Sequence, residues 1–258
     1  MSLSIDSLCP IDLDKIGVES EQISITSDDL SNSACLFNSL VCQSIKLLKT
    51  SQTKDDKPLK IFMILFNQTY NEISRYQMKN FGLNLKSFKD VNQLIVMDFL
   101  TDYKDGIVTS DGSILLPALI QKTLDKIKQT LSSEDDSSKA IVLVDDVSCL
   151  LILGLPLNQV YQYCRHLRNL IHYHKLVLIM QSYYDYDEDD TDINRLCQSF
   201  IETCNIWLQC KHLDTGFSSK VDGNLIINDY HQWPTKTHHY HFKRMPRNVK
   251  VLPVGAFS

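Results

Sequence analysis

Two adjacent acids, Asp145 and Asp146, follow the apolar run Ala140-Ile141-Val142-Leu143-Val144. An apolar strand closed by acids resembles a Walker B element, where the strand-end carboxylate helps hold Mg²⁺ or orients water beside a nucleotide. A plainer role suits the same residues, because an acid at the end of a buried strand also marks where the chain re-enters water. A partner motif decides between the two. A phosphate loop needs glycines, so that backbone N–H groups can wrap the phosphates, and then Lys with Ser or Thr. None of the eight glycines precedes a lysine. Between the first expected strand and helix the chain reads Ser27-Asp28-Asp29-Leu30-Ser31-Asn32-Ser33, with no glycine, no lysine and two carboxylates that repel phosphate. A GxGxxG pattern is absent as well. Asp145 and Asp146 therefore read as a degenerate pair; no catalytic residue is assigned and no cofactor is expected.

Two basic groupings remain. Arg165, Arg168 and His172 fall at i, i+3 and i+7 of an expected helix, away from its apolar stripe. From Lys211 onward seven cations (Lys211, Lys220, Lys236, Lys243, Arg244, Arg247, Lys250) stand against Asp214, Asp222 and Asp229, interleaved with Phe217, Tyr230, Trp233, Tyr240 and Phe242. Cations among aromatics can track an RNA backbone and stack bases; an ordinary strand surface over core aromatics has the same composition. Lys243, Arg244, Arg247, Arg165 and Arg168 are the RNA-contact candidates. His231, His238, His239 and His241 cluster nearby, and His239 and His241 would share a strand face. No carboxylate or Cys joins them at a familiar ligand spacing, so no metal site is assigned. The acidic run Asp187-Glu188-Asp189-Asp190 reads as a solvated loop. The eight cysteines include no CxxC spacing and sit mostly in apolar stretches, as reduced core thiols do.

Hydrophobic periodicity supplies the elements that must position these residues. Ile23 to Thr26 reads as a first strand, followed by a helix over about Ser33 to Leu48 with Leu36, Leu40, Ile45 and Leu48 apolar. The continuous run Ile61 to Phe66 marks a strand buried on both faces. Tyr70 to Phe81 looks helical and stops at Gly82. Leu94 to Phe99 is a strand, Asp102 to Gly112 a turn-rich loop, and Leu116 to Leu131 a helix. Ala140 to Val144 is the strand before the acid pair; Pro156 and Asn158 open a helix; Leu176 to Met180 is another strand; Ile193 to Cys204 is a helix. The pattern then changes to strands at Ile206 to Cys210, Leu225 to Asn228, Tyr240 to Lys243 and Val249 to Val254, with Asp222-Gly223 as a turn signal. This alternation predicts an α/β fold: a mostly parallel sheet flanked by helices, with an antiparallel β-rich C-terminal extension. One domain over residues 1–258 is expected, with an N-terminal extension at 1–20 and the β-rich part at 205–258.

Composition sets the outer bounds. A net charge of −5, with 31 acids against 26 Lys plus Arg, argues against a general nucleic-acid protein and confines any RNA contact to a local patch. The N-terminus has no basic run and no long apolar stretch, so no signal peptide is expected. The most apolar run, Ser148 to Leu157, is broken by Gly154 and Pro156 and is too short to span a bilayer.

With these elements in place the sequence resembles the Elongator complex protein 6 family. The resemblance rests on Ile141 to Gly154, on Tyr163-Cys164-Arg165, on Leu213-Asp214-Thr215-Gly216-Phe217 followed by Val221-Asp222-Gly223-Asn224-Leu225, and on Val249 to Gly255. It covers most of the chain in order and is strongest from about Lys139. What it implies is a RecA-like fold without a phosphate loop, assembled with Elongator proteins 4 and 5 into a heterohexameric ring. That ring joins the catalytic subcomplex that modifies wobble uridines, and ATP hydrolysis by the ring promotes tRNA release. A non-enzymatic, cytoplasmic subunit follows, with a nuclear pool allowed, no membrane association and tRNA met through the assembly. Two other readings stand beside it: a stand-alone NTPase with an unusual phosphate site at Asp145-Asp146, and an RNA- or metal-binding module built on the basic, His-rich tail.

Overall fold

A computed structural model describes residues 3–4, 19–28, 30–51, 59–101, 114–132, 139–184, 191–213, 218–231, 234–245 and 248–254. Among the described residues ten strands form one sheet: β1 (Leu3–Ser4), β2 (Glu21–Ser27), β3 (Leu59–Leu65), β4 (Leu94–Asp98), β5 (Lys139–Asp145), β6 (Val177–Tyr183), β7 (Ile206–Lys211), β8 (Gly223–Asp229), β9 (Lys236–Met245) and β10 (Asn248–Pro253). The helices are α1 (Leu30–Ser51), α2 (Tyr70–Phe81), α3 (Leu85–Asp90), α4 (Leu116–Ser132), α5 (Cys149–Ile152), α6 (Leu157–Tyr173) and α7 (Asp192–Ile201).

The strand order is β1-β10-β9-β8-β7-β2-β6-β5-β3-β4. From β7 to β4 every pairing is parallel; from β7 to β1 every pairing is antiparallel. The central strands β2 and β3 are buried along their whole length, which is why β3 reads as an unbroken apolar run.

The period of two along each strand sorts the core into two layers. Ile61, Met63 and Leu65 pack with Ile141, Leu143 and Ile179 under α1, α2 and α3. Phe62 and Ile64 pack with Val142, Val144 and Met180 under α4 to α7. On α1 the apolar positions Leu36, Leu40, Ile45 and Leu48 are all fully buried. Each contributes about 1.5–3 kcal/mol through removal from water, which holds this helix against the sheet.

Helix α2 has the expected bounds, and chemistry fixes both of its ends. Thr69 and Glu72 form a reciprocal capping box, and Gly82 closes the helix at φ 67° with its N–H on the Met78 carbonyl. Three elements escaped the sequence reading: β1, α3 and α5, of 2, 6 and 4 residues. They are too short to repeat a hydrophobic period. The loops expected at Asp102 to Gly112 and at Asp187 to Asp190 lie outside the described residues.

Candidate functional site: a closed strand-end crevice

In open α/β sheets ligands bind in the crevice beyond the carboxyl ends of the strands. Here β6 lies between β2 and β5, so the loop after β2 and the Asp145 strand are one strand apart. Phosphates would have to meet the chain at Ser27 and Asp28. The Asp28 carboxylate instead accepts the His212 N–H at 3.1 Å, beyond the end of β7, and its other oxygen lies 3.9 Å from the His212 ring.

Asp145 is fully buried on the α1 side of the sheet. Both of its oxygens are engaged: Oδ2 accepts the Gln68 backbone N–H at 2.6 Å, and Oδ1 accepts the Gln68 side-chain amide at 3.4 Å. The network continues inward. Asn38 Nδ2 donates to Gln68 Oε1 at 3.5 Å, and Gln77 Nε2 donates to the Asn38 carbonyl at 2.8 Å. Four elements are thereby joined: the end of β5, the loop before α2, α1 and α2. Asp98, at the end of β4, accepts the N–H of Tyr70, the first residue of α2, at 2.8 Å. The strand-end acids thus serve as anchors for the turn into α2.

Asp146 makes the turn out of β5, at φ 43°. Its Oδ1 accepts the Ser148 N–H at 3.1 Å, while Ser148 Oγ accepts the Tyr183 N–H at 2.8 Å and the Val147 N–H reaches the Gln181 carbonyl at 3.0 Å. The segment is thereby clipped to β6. Burial pushes the Asp145 carboxyl up to about 7, against the pull of the Gln68 N–H, and neighbouring Asp146 adds to the rise. Burial likewise pushes Asp146 up to about 6 despite its bonds to Ser148. Gln68, Asn38 and Gln77 were not singled out in the sequence, because isolated amides carry no spacing signature.

The basic candidates do not converge. Lys243 and Arg244 point to opposite faces of β9, and both lean on Asp222, at 4.0 and 3.6 Å. Arg247 lies outside the described residues. Arg168 turns along the molecule to Thr203 and the Ser199 carbonyl at the end of α7, while Arg165 is exposed. His172 meets Ser20 at 3.1 Å. His239 and His241 share a face of β9 as expected, with His238 on the other. His231 is held by Asp229 at 3.0 Å. Among the described residues no group of three or more His, Cys, Asp or Glu is arranged to hold a metal ion.

The sheet order defines a RecA-like α/β fold in which the carboxylate at the end of β5 is held by the chain's own Gln68. The chain's likeness to a KaiC-like protein of Pyrococcus horikoshii supports this fold, with a TM-score of 0.61 over 98% of this chain and 100% of the other at 9% identity. The chain belongs to the Elongation complex protein 6 family, whose model matches residues 57–245. It is 21% identical over 159 residues to Elongator complex protein 6 of Danio rerio, covering 57% of this chain and 60% of that relative. It is 24% identical over 182 residues to Elongator complex protein 6 of Xenopus tropicalis, covering 65% of this chain and 67% of the relative.

Proposed function

We propose that this chain is a non-catalytic, single-domain subunit of the Elongator accessory ring, built with Elongator proteins 4 and 5. Through that cytoplasmic ring it supports tRNA binding and wobble-uridine modification by the catalytic subcomplex. Family membership supports the Elongator part of the reading. The engagement of Asp145 carries the non-catalytic part. A hydrolytic site must offer its strand-end carboxylate to metal or water, whereas both Asp145 oxygens are buried against Gln68. The facing loop offers the Asp28 carboxylate where phosphate would need N–H groups. Among the described residues no helix is long and apolar enough to cross a membrane.

The test is the ATPase rate of the reconstituted ring carrying Asp145→Asn with Asp146→Asn. A rate within twofold of wild type is expected. A loss of tenfold or more in an intact ring would show that this chain contributes a hydrolytic site. Titration of ATP into the purified chain should likewise release no binding heat.

A further inference from the structure

The antiparallel half of the sheet is covered on one side only. Leu208, Leu225, Phe242 and Val251 belong to the layer beneath α1. The layer beneath α4 to α7 contains no residue of β7 to β10. Among the described residues no apolar side chain of α4 to α7 is packed with the second face of these strands. Register places Lys211, His239, His241, Lys243 and Lys250 on that face. None of its strand positions from Trp207 to Leu252 is Asp or Glu. Asp222, just before β8, is the acid at its rim, beside Lys243. Lys243 and Lys250 stand directly opposite each other across β9 and β10. Like charges in that position disfavour each other; Lys243 is drawn to Asp222 at 4.0 Å and donates to the Ser219 carbonyl at 2.6 Å, while Lys250 is exposed.

We propose that this acid-free face of β7 to β10 docks an acidic protein surface of a neighbouring subunit, an inference that rests on the ring reading above. Charge complementarity sets the sign of the occupant, and the middle of the face sets its class. Ile226 and Leu252 are half-buried there, beside the half-buried Asn224 and the buried amides of Gln209 and Asn228. An apolar centre with a charged rim is the anatomy of a protein interface. A single-stranded RNA platform needs free aromatic faces. Tyr240 instead turns to the covered side, and the half-buried Trp207 has its indole N–H on Thr26 Oγ1 at 2.8 Å.

Placing acids at two exposed positions of this face tests this. The variant His239→Glu with Lys250→Glu is compared with wild type and with Lys86→Glu on α3. Each chain is melted alone, then titrated with Elongator proteins 4 and 5 at two salt concentrations. Alone, the double variant should keep or raise its melting temperature, because Glu at position 250 would face Lys243. Its affinity for the partners should fall at least tenfold, while Lys86→Glu stays within twofold, and wild-type affinity should fall with salt. Unchanged affinity in the double variant overturns the docking assignment. Intact assembly with weakened RNA binding by the ring also overturns it, in favour of RNA. If wild-type chain ignores both partners, the ring reading itself fails and takes this inference with it.

Discussion

Carboxyl burial gives Asp145 and Asp146 a measurable signature. Their pKa values, about 7 and about 6, lie above that of an unfolded Asp, so the native state holds protons more tightly than the unfolded chain. The stabilisation tied to these protons is complete below about pH 4, the unfolded value, and is lost as pH rises through the folded values. Replacing both acids by Asn removes that loss. Asn also tolerates the left-handed backbone that position 146 requires, at φ 43°. Asp145→Asn with Asp146→Asn should therefore gain melting temperature on the wild type as pH rises from about 5 to about 8. Paired thermal scans measure the difference, and a gap that does not change with pH contradicts the buried, closed state of the pair. The acids themselves were legible from the apolar run before them. Their partners were not, because Gln68 and Asn38 act through a contact between residues far apart in sequence.

At the level of elements, the buried strands and long helices were legible because their apolar runs outlast several periods, as in β3, α4 and α6. The antiparallel end was less so. Strand β9 runs from Lys236 to Met245, far beyond the expected Tyr240 to Lys243, because its first four residues are exposed and polar. Backbone pairing with β8 carries them instead of burial. Asp222-Gly223 was read as a turn, yet Gly223 is the first residue of β8, opposite Phe242. Close packing explains the glycine: an added Cβ would lie 2.6 Å from the Lys211 carbonyl and 2.7 Å from the Phe242 ring. The carbonyl belongs to a paired strand and cannot move away as a flexible side chain could. Gly223→Ala should cost about 1–3 kcal/mol and lower the melting temperature by about 2–12 °C. A thermal melt followed by circular dichroism reads this, and an unchanged midpoint would mean that the β7–β9 hairpins yield more easily than their register implies.

At the scale of the whole molecule, alternation of strands and helices announced an α/β sheet with an antiparallel end. The insertion of β6 between β2 and β5 was not readable, since strand order is decided by pairings across long stretches of chain. The carboxylate at the end of β5 is held there by Gln68, which Asn38 of α1 and Gln77 of α2 support in turn. A protein that binds nucleotide gains stability from it by mass action. If the chain is the ring subunit proposed above, neighbours that meet it head to tail through two different surfaces supply that stabilisation instead. Light scattering after co-expression with Elongator proteins 4 and 5 tests that claim most directly. A discrete species of six chains, two of them this one, melting at a higher temperature than the chain alone is expected. A stable, well-folded monomer that ignores both partners would contradict it.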